Sequence, residues 1–292
     1  SLIIIPGLIA MGISVMRFGG PVRLSIDFTG GTLMELAFEQ PVAPAEVRQI
    51  FVQHGYGDTT VQTTLDEKTV LIRSKELEEG EKAKIQAELT DKFGPMTELR
   101  FEQVGPTVGR EVTRSAMIAI IAAALVIMGF IIFAWRKVPN ALRYGICASA
   151  ATLHDVLVTM GIFSILGLLL GWEADALFLT AMLTVTGYSV QDTIVVFDRI
   201  RENLPRYRGE PFERVVNRSI LETIHRSLAT QLNAIFVMIA IILFGGETIR
   251  PFISTMLVGM LSGTYSSIFI AVPLVVVWEL TAGRREAARA AA

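Results

Sequence analysis

Along most of the chain, long apolar runs alternate with short charged loops. One charged stretch, roughly Met16 to Arg114, interrupts that pattern near the start. A membrane-spanning helix needs about 20 mostly apolar residues. Ser115–Trp135 carries no charge over 21 residues and predicts one span. Tyr144–Trp172 predicts the next and is interrupted by His154 and Asp155. Ala176–Phe197 follows and is interrupted by Asp192. Ser227–Gly246 and Phe252–Trp278 predict two more, with Pro273 tolerable near the end of the last. Leu2–Met16 is apolar but short and reads as the C-terminal part of a first span, which makes six.

The charged stretch has periodicities of its own. Leu24–Phe38 is strand-like, with Thr29-Gly30-Gly31 as a bend or bulge. Pro44–Gln53 predicts a helix, with Pro in the first turn and Gly55 just past the end. Thr60–Leu65 and Thr69–Arg73 read as strands joined by the polar Asp66-Glu67-Lys68 turn. Glu81–Phe93 is an amphipathic helix closed by Gly94-Pro95, and Leu99–Val104 is a last strand. The order β-α-β-β-α-β predicts a split-βαβ, ferredoxin-like sandwich. The expected fold is therefore a six-helix membrane α-helical protein with one inserted α+β domain. The expected divisions are a first transmembrane helix at 1–16, the inserted domain at 17–114, and a five-helix bundle at 115–292. Pro211–His225 is also helical in pattern. It reads either as an amphipathic helix on the membrane surface or as a plain connector.

Composition agrees with that division. Hydrophobic residues make up 52% of the 292 and charged residues 18%, against about 25% in an average soluble protein. The segment 17–114 holds 28 of the charged side chains, and the other 194 residues hold 26. A formal net charge of −2 argues against a nucleic-acid binder, which would show a basic face. The single cysteine, Cys147, excludes an intrachain disulfide and a thiolate metal cluster. Neither a basic start nor a small-residue cleavage site marks a signal peptide. Ser1 in place of Met predicts a trimmed chain or half of a longer polypeptide. There is no His-Glu-x-x-His, no phosphate-binding loop ending in Gly-Lys-Ser/Thr, and no Gly-x-Ser-x-Gly. The chain is therefore not expected to be an enzyme, and any energy source has to be a partner or an ion gradient.

Lysine and arginine in short loops set the orientation. Arg136, Lys137 and Arg143 follow the second span. Arg199, Arg201, Arg206, Arg208, Arg214 and Arg218 follow the fourth, and Arg284, Arg285 and Arg289 lie in the tail. The opposite loops hold Glu173 with Asp175, and Glu247 with Arg250. Both ends, the loop 198–226 and the basic tail are then cytoplasmic, and 17–114 lies outside.

An ionisable group inside a span costs about 2.5–3.5 kcal/mol on insertion scales, so such groups are candidates for function. Asp192 lies five residues before Phe197, about 7.5 Å from the cytoplasmic end at a rise of about 1.5 Å per residue. Thr180, Thr184 and Tyr188 precede it at four-residue steps. Arg226 opens the fifth span, followed by Thr230 and Asn233, and an Asp192–Arg226 pair is geometrically feasible. Asp155 has Ser149, Thr152 and Thr159 at helical spacing, and the sixth span carries Thr255, Gly259, Ser262 and Ser266. One polar stripe on each of several helices suits a hydrated bundle interior. A buried carboxylate whose distance to an arginine changes would load and unload a proton. The alternatives are structural. Asp192 and Arg226 could lock the bundle, Asp155 and His154 could satisfy each other, and Arg226 could snorkel to the interface. Gly259-x-x-x-Gly263 permits close helix contact. Gly105, Pro106 and Gly109 read as a turn entering the second span.

Several of these segments form a recognisable series. Asp27-Phe28-Thr29-Gly30-Gly31-Thr32 follows the first span. Gly105-Pro-Thr-Val-Gly109-Arg-Glu111 leads into the second, and His154-Asp155-Val-Leu lies in the third. Gly187-Tyr-Ser-Val-Gln-Asp192-Thr-Ile-Val-Val-Phe-Asp198-Arg-Ile-Arg-Glu-Asn203 closes the fourth. Phe244-Gly-Gly-Glu247 and Gly263-Thr-Tyr-Ser-Ser267 follow. The series resembles the SecF family over nearly the whole chain. Gln191 departs from the more usual Asn there but keeps an amide. The resemblance implies the SecF subunit or C-terminal half of a SecD–SecF protein-export complex, akin to the resistance-nodulation-division transporters. It implies use of the proton-motive force to help draw preproteins from the SecYEG channel, with no cofactor, in the bacterial cytoplasmic membrane. The implied partners are SecD, as a separate subunit or a fused upstream half, SecYEG, YajC and YidC, preproteins and membrane lipid, with no nucleic acid. Carried over, Asp192 matches the family's proton-linked Asp and Arg226 its functional Arg, while Asp155 and His154 are secondary candidates. The alternative is half of another proton-driven exporter, for small molecules or lipids.

The topology is open to a direct test. Single cysteines at Glu79 and Arg208, probed with an impermeant thiol reagent on intact cells, should label at position 79 only. Labelling at 208 alone would invert the arrangement.

Overall fold

The computed structural model describes residues 4–63, 67–78, 80–134, 141–246 and 248–291. The end of the expected 60–65 strand, Asp66, the loop residues Arg136 and Lys137, and Glu247 lie outside the described residues. The chain divides into two compact units. One comprises residues 1–23 and 118–292, the other Leu24–Met117.

In the smaller unit, four strands order as β2-β3-β1-β4, with every neighbouring pair antiparallel. They are β1 (Gly31–Phe38), β2 (Thr60–Thr63), β3 (Thr69–Ser74) and β4 (Met96–Val104). Met34 of β1 faces Ile72 of β3 and Phe101 of β4, and the β1–β4 register shifts between Glu35 and Leu36. Alternate β1 residues Met34, Leu36 and Phe38 join Val70 and Ile72 in one core. Two helices add Val47, Ile50 and Phe51 from α3 (Pro44–Gln53) and Ile85 and Leu89 from α4 (Glu81–Phe93), and Val42 and Leu77 join from the connecting segments. Fully burying such a side chain stabilises by about 1.5–3 kcal/mol.

The strand expected over Leu24–Phe38 begins later than its pattern suggested. Ile26–Thr29 forms a short helix, α2, in which the Ser25 hydroxyl accepts from the Asp27 N–H at 3.2 Å. The turn ends at Gly30 (φ 72°) and Gly31 (φ 119°), a backbone region that glycine enters freely. Space is scarce there as well. A Cβ on Gly30 would lie 2.9 Å from Pro106 Cα, and one on Gly109 would lie 2.8 Å from Gly30 N. The Thr113 hydroxyl donates to the Phe28 carbonyl at 3.2 Å. The expected plain turn at Gly105–Gly109 is thus a close backbone contact with the Gly30 segment.

The larger unit is helical: α1 (Ile4–Phe18), α5 (Pro106–Ala134, which begins in the smaller unit), α6 (Ala141–Leu170), α7 (Ala176–Arg206), α8 (Phe212–Phe244), α9 (Arg250–Ser266) and α10 (Val272–Ala291). Among the described residues, four segments are long and apolar enough to cross a membrane: Pro106–Phe130, Leu142–Leu170, Phe212–Phe244 and Arg250–Ala282. Helix α1 is shorter, and α7 does not fall in that set. Helices α5 and α8 turn Ile121, Leu125, Phe130, Phe236 and Leu243 outward, as a lipid-facing surface would. Pro211–His225 is not a separate element, because it runs into the single helix α8.

Close approach of the helices depends on small residues. A Cβ on Gly161 of α6 would lie 2.7 Å from Gly7 Cα of α1. Gly259 of α9 is filled by the Val185 side chain of α7, and a Cβ on Gly263 would lie 3.2 Å from Ser189 Cα. Asp175 caps α7 by accepting from the Phe178 N–H at 2.7 Å, and its neighbour Glu173 pairs with Arg23 at 2.9 Å. Between α9 and α10, residues Ser267–Ala271 widen into a π turn. Pro273 lacks an N–H and would crowd the carbonyl four residues back, which accounts for the widening.

One clamp in the smaller unit is pH-sensitive. His54, at the end of α3, places Nδ1 3.1 Å from Glu81 and Nε2 2.8 Å from Glu88, both on α4. Both nitrogens donate only in the imidazolium. The Glu88 hydrogen bond, helped by Glu81, raises the His54 pKa above its ordinary 6.5. The clamp therefore contributes fully below about pH 6.5 and is lost as pH rises through the raised value. His54→Gln should lower the thermal midpoint at acidic pH, with the gap closing toward alkaline pH. A gap constant with pH would exclude the clamp.

Candidate functional site

Among the described residues, the bundle buries two carboxylates. Asp155 of α6 is 0% exposed and Asp192 of α7 is 6% exposed. A charge taken out of water needs partners that replace its hydration, and the two residues meet that need in different ways.

Asp155 is held by helices on either side. Its Oδ2 accepts from the Ser189 hydroxyl of α7 and the Ser266 hydroxyl of α9, both at 2.6 Å. Its Oδ1 accepts from the Ser262 hydroxyl of α9 at 2.6 Å and lies 3.1 Å from His154 Nδ1. These O–H···O lengths are those of charge-assisted bonds. Ser266 Oγ also lies 3.3 Å from the Gly263 carbonyl of its own helix. Gly263 makes the geometry possible, since a side chain there would approach Ser189 and Asp155 Oδ2. His154 is buried, its ring 6.3 Å from that of Tyr265, and Nε2 has no hydrogen-bond partner among the described residues.

Asp192 has a sparser shell. Its Oδ2 accepts from Gln231 Nε2 of α8 at 2.6 Å. The expected Asp192–Arg226 pair is not formed. Arg226 is exposed, with no carboxylate within 4 Å among the described residues, and its carbonyl accepts from the Thr230 hydroxyl at 3.0 Å. Thr230 and Asn233 face outward with it. The buried stripe of α8 is instead Ser219, Thr223, Ser227 and Gln231, a four-residue spacing visible in the sequence but one that sequence reasoning passed over. On α7, Thr180 and Thr184 donate to the carbonyls of Ala176 and Thr180, and Tyr188 faces out. The inward residue is Ser189, three before Asp192. The expected stripe on α9 does face inward, and Ser262 and Ser266 are its working part.

Beyond Asp192, the same motif ties α7 to α8 a second time. Asn203 Nδ2 donates to the Ser219 hydroxyl at 3.0 Å and to Glu222 at 2.8 Å. Arg199 bonds Glu222 at 2.5 Å and Glu202 at 2.7 Å. The run Asp192–Asn203 thus begins and ends on contacts with one helix. Among the described residues, no group of three or more His, Cys, Asp or Glu side chains converges as a metal site would.

Comparison with known proteins assigns the family. The family model for the C-terminal part of the SecD/SecF protein export membrane proteins matches residues 84–281, and the SecD/SecF GG motif matches residues 18–42. The protein translocase subunit SecF of Thermobaculum terrenum is 50% identical over 95% of this chain and 89% of its own. The chain belongs to the SecF family. The SecF of Anaerolinea thermophila is 49% identical over 94% of this chain and 89% of its own. The crystal structure of SecDF from Thermus thermophilus, a translocon-associated membrane protein, superposes with a TM-score of 0.79 at 32% identity over 95% of this chain. A second SecDF structure, in a super-membrane-facing form, gives 0.68 at 30% over 99%. The chain spans 37% and 38% of those two SecDF chains. As a SecF-family protein it is a membrane component of the Sec protein translocation machinery, not an enzyme. These relatives favour that role over export of small molecules or lipids. The segment matched by the GG-motif model includes the Gly30-Gly31 turn described above, and the C-terminal match includes Asp155, Asp192, Arg226 and Gln231.

Proposed function

We propose that this SecF-family chain uses the proton-motive force, together with SecD, to promote preprotein export at the SecYEG channel. Asp192 is the group that exchanges the proton. The observation that carries this reading is the pairing of two buried carboxylates with unequal shells. Asp155 is surrounded by donors, whereas Asp192 has one amide. A carboxylate with few fixed donors is the one whose protonation state can change at small cost. Asp155 and His154 then hold the bundle around it. Arg226 faces away from Asp192 here, which suits a residue that meets the carboxylate, or a SecD acid, in another state of the cycle.

The wider arrangement follows from the same reading. Helices α1 and α7 complete six spans in the cytoplasmic membrane, with both ends cytoplasmic and residues 17–114 outside. The strand order β2-β3-β1-β4 with two helices on one face supports the ferredoxin-like assignment of that segment. The outward apolar residues of α5 leave room for SecD alongside. YajC and YidC are further candidate neighbours, and the proton gradient needs no cofactor.

The test is preprotein translocation into inverted vesicles, with and without a proton gradient, using chains that assemble at normal levels. Asp192→Asn keeps size and hydrogen bonding but not the charge, and should abolish most of the gradient-stimulated increment. Arg226→Ala should do the same, while Arg226→Lys should retain part of it, keeping charge but not the guanidinium fork. Full retention of the increment in Asp192→Asn would make Asp192 structural.

A further inference from the structure

Gln231 is nine-tenths buried or more, at 4% exposure, and only one end of its amide is used. Nε2 donates to Asp192 Oδ2 at 2.6 Å, while Oε1 is buried with no hydrogen-bond partner among the described residues. A buried acceptor left unmet is a cost that a native site seldom carries without use. The amide can donate through Nε2 or accept through Oε1 from almost the same position, and it carries no charge in either role. Half a turn about its terminal bond exchanges Oε1 and Nε2. An arginine or lysine there could only donate, and would favour one state of its carboxylate partner.

The other charged groups of the site leave this task to Gln231. On α6, Asp155 is occupied by three serines and His154. On α8, Arg226 is exposed and pairs with no carboxylate among the described residues. On α7, the Thr193 hydroxyl next to Asp192 is directed to the Ser189 carbonyl at 3.2 Å. On α8, one turn before Gln231, Ser227 Oγ is buried and also lacks a partner, so the α8 side of the site keeps unused polar capacity.

We infer that Gln231 is a positioning residue that holds Asp192 in both of its protonation states by turning its side-chain amide. With Asp192 ionised, Nε2–H donates to Oδ2, as seen. When a proton binds Oδ2, the amide turns and Oε1 accepts the new O–H. When the proton leaves, the amide turns back. The amide neither gains nor loses a proton, and α7 and α8 stay joined throughout. The inference rests on the reading of Asp192 as the exchanging group.

Infrared difference spectra of the full chain in lipid vesicles, recorded on acidification, separate the two ideas. Asp192 gives a protonated-carboxyl band, identified by its loss in Asp192→Asn. The chain holds eight glutamines, so the isotope label is placed at position 231 alone, where it reports a side-chain carbonyl that gains a hydrogen bond in the same step. In Gln231→Met the glutamine signal should vanish, and the Asp192 carboxyl band should shift to higher frequency because its O–H has lost its acceptor. The same variant should lose most of the gradient-stimulated export. The glutamine signal is read on the unaltered chain, so it decides the matter even if the variant folds poorly. A titrating Asp192 band with no glutamine signal would overturn the role of Gln231 and leave Asp192 standing. No Asp192 band at any pH would overturn the underlying reading instead.

Discussion

A carboxylate between packed helices must recover from those helices what it loses from water, or it pushes them apart. Asp155 recovers it from Ser189 on one side and from Ser262 and Ser266 on the other, with His154 as a fourth contact. Losing one partner of a buried charged hydrogen bond costs about 1–3 kcal/mol or more. The arrangement therefore fixes how α6, α7 and α9 can sit. Much of the local packing serves it. Gly259 and Gly263 are bare so that α9 can come close to α7. The hydrophobic contacts of Phe197, Tyr144 and Cys147 lie beyond the polar layer along the same helices.

With α6, α7 and α9 held in this way, Asp192 lies about one turn along α7 from Ser189 and meets α8 through one amide. The contrast, among the described residues, between a carboxylate with four contacts and one with a single contact is what the proposed division into a structural and an exchangeable carboxylate rests on. Helix α7 touches α8 twice, at Asp192–Gln231 and at Asn203 with Ser219 and Glu222. The second contact holds the pair together near the charged hairpin, so that a change at Asp192 alters one link while the other persists.

Much of this could be read from the sequence, and the parts that could not have physical reasons. The apolar runs, the inserted α+β segment and the inward stripe of α9 follow from period and length. Stripes at four-residue steps are less reliable, because a helix turns about 40° past a full circle every four residues. Thr180 and Thr184 start the α7 stripe on a face that has rotated away before Asp192 is reached, and Ser189 takes the inward place. On α8 two polar stripes compete, and Arg226 drew attention to the outer one. Spacing alone cannot say which of two stripes a neighbouring helix will cover. The Ile26–Thr29 turn was hidden for a local reason. Its apolar pattern suits a strand, and only the Ser25 cap and the glycine conformations after it make the turn. Gly30 and Gly109, far apart in sequence, are bare because their backbones touch, a contact no periodicity encodes.

The claim on which the rest depends is that Asp155 is a structural anchor and Asp192 is not. Hydrogen exchange of the membrane-embedded chain, followed by peptide for Asp155→Asn and Asp192→Asn, tests it most directly. Asp155→Asn turns one acceptor into a donor facing serine hydroxyls, so protection should fall together in α6, α7 and α9. Asp192→Asn should leave those three helices as protected as in the unaltered chain. Equal protection in both variants, or a loss confined to Asp192→Asn, would contradict the account.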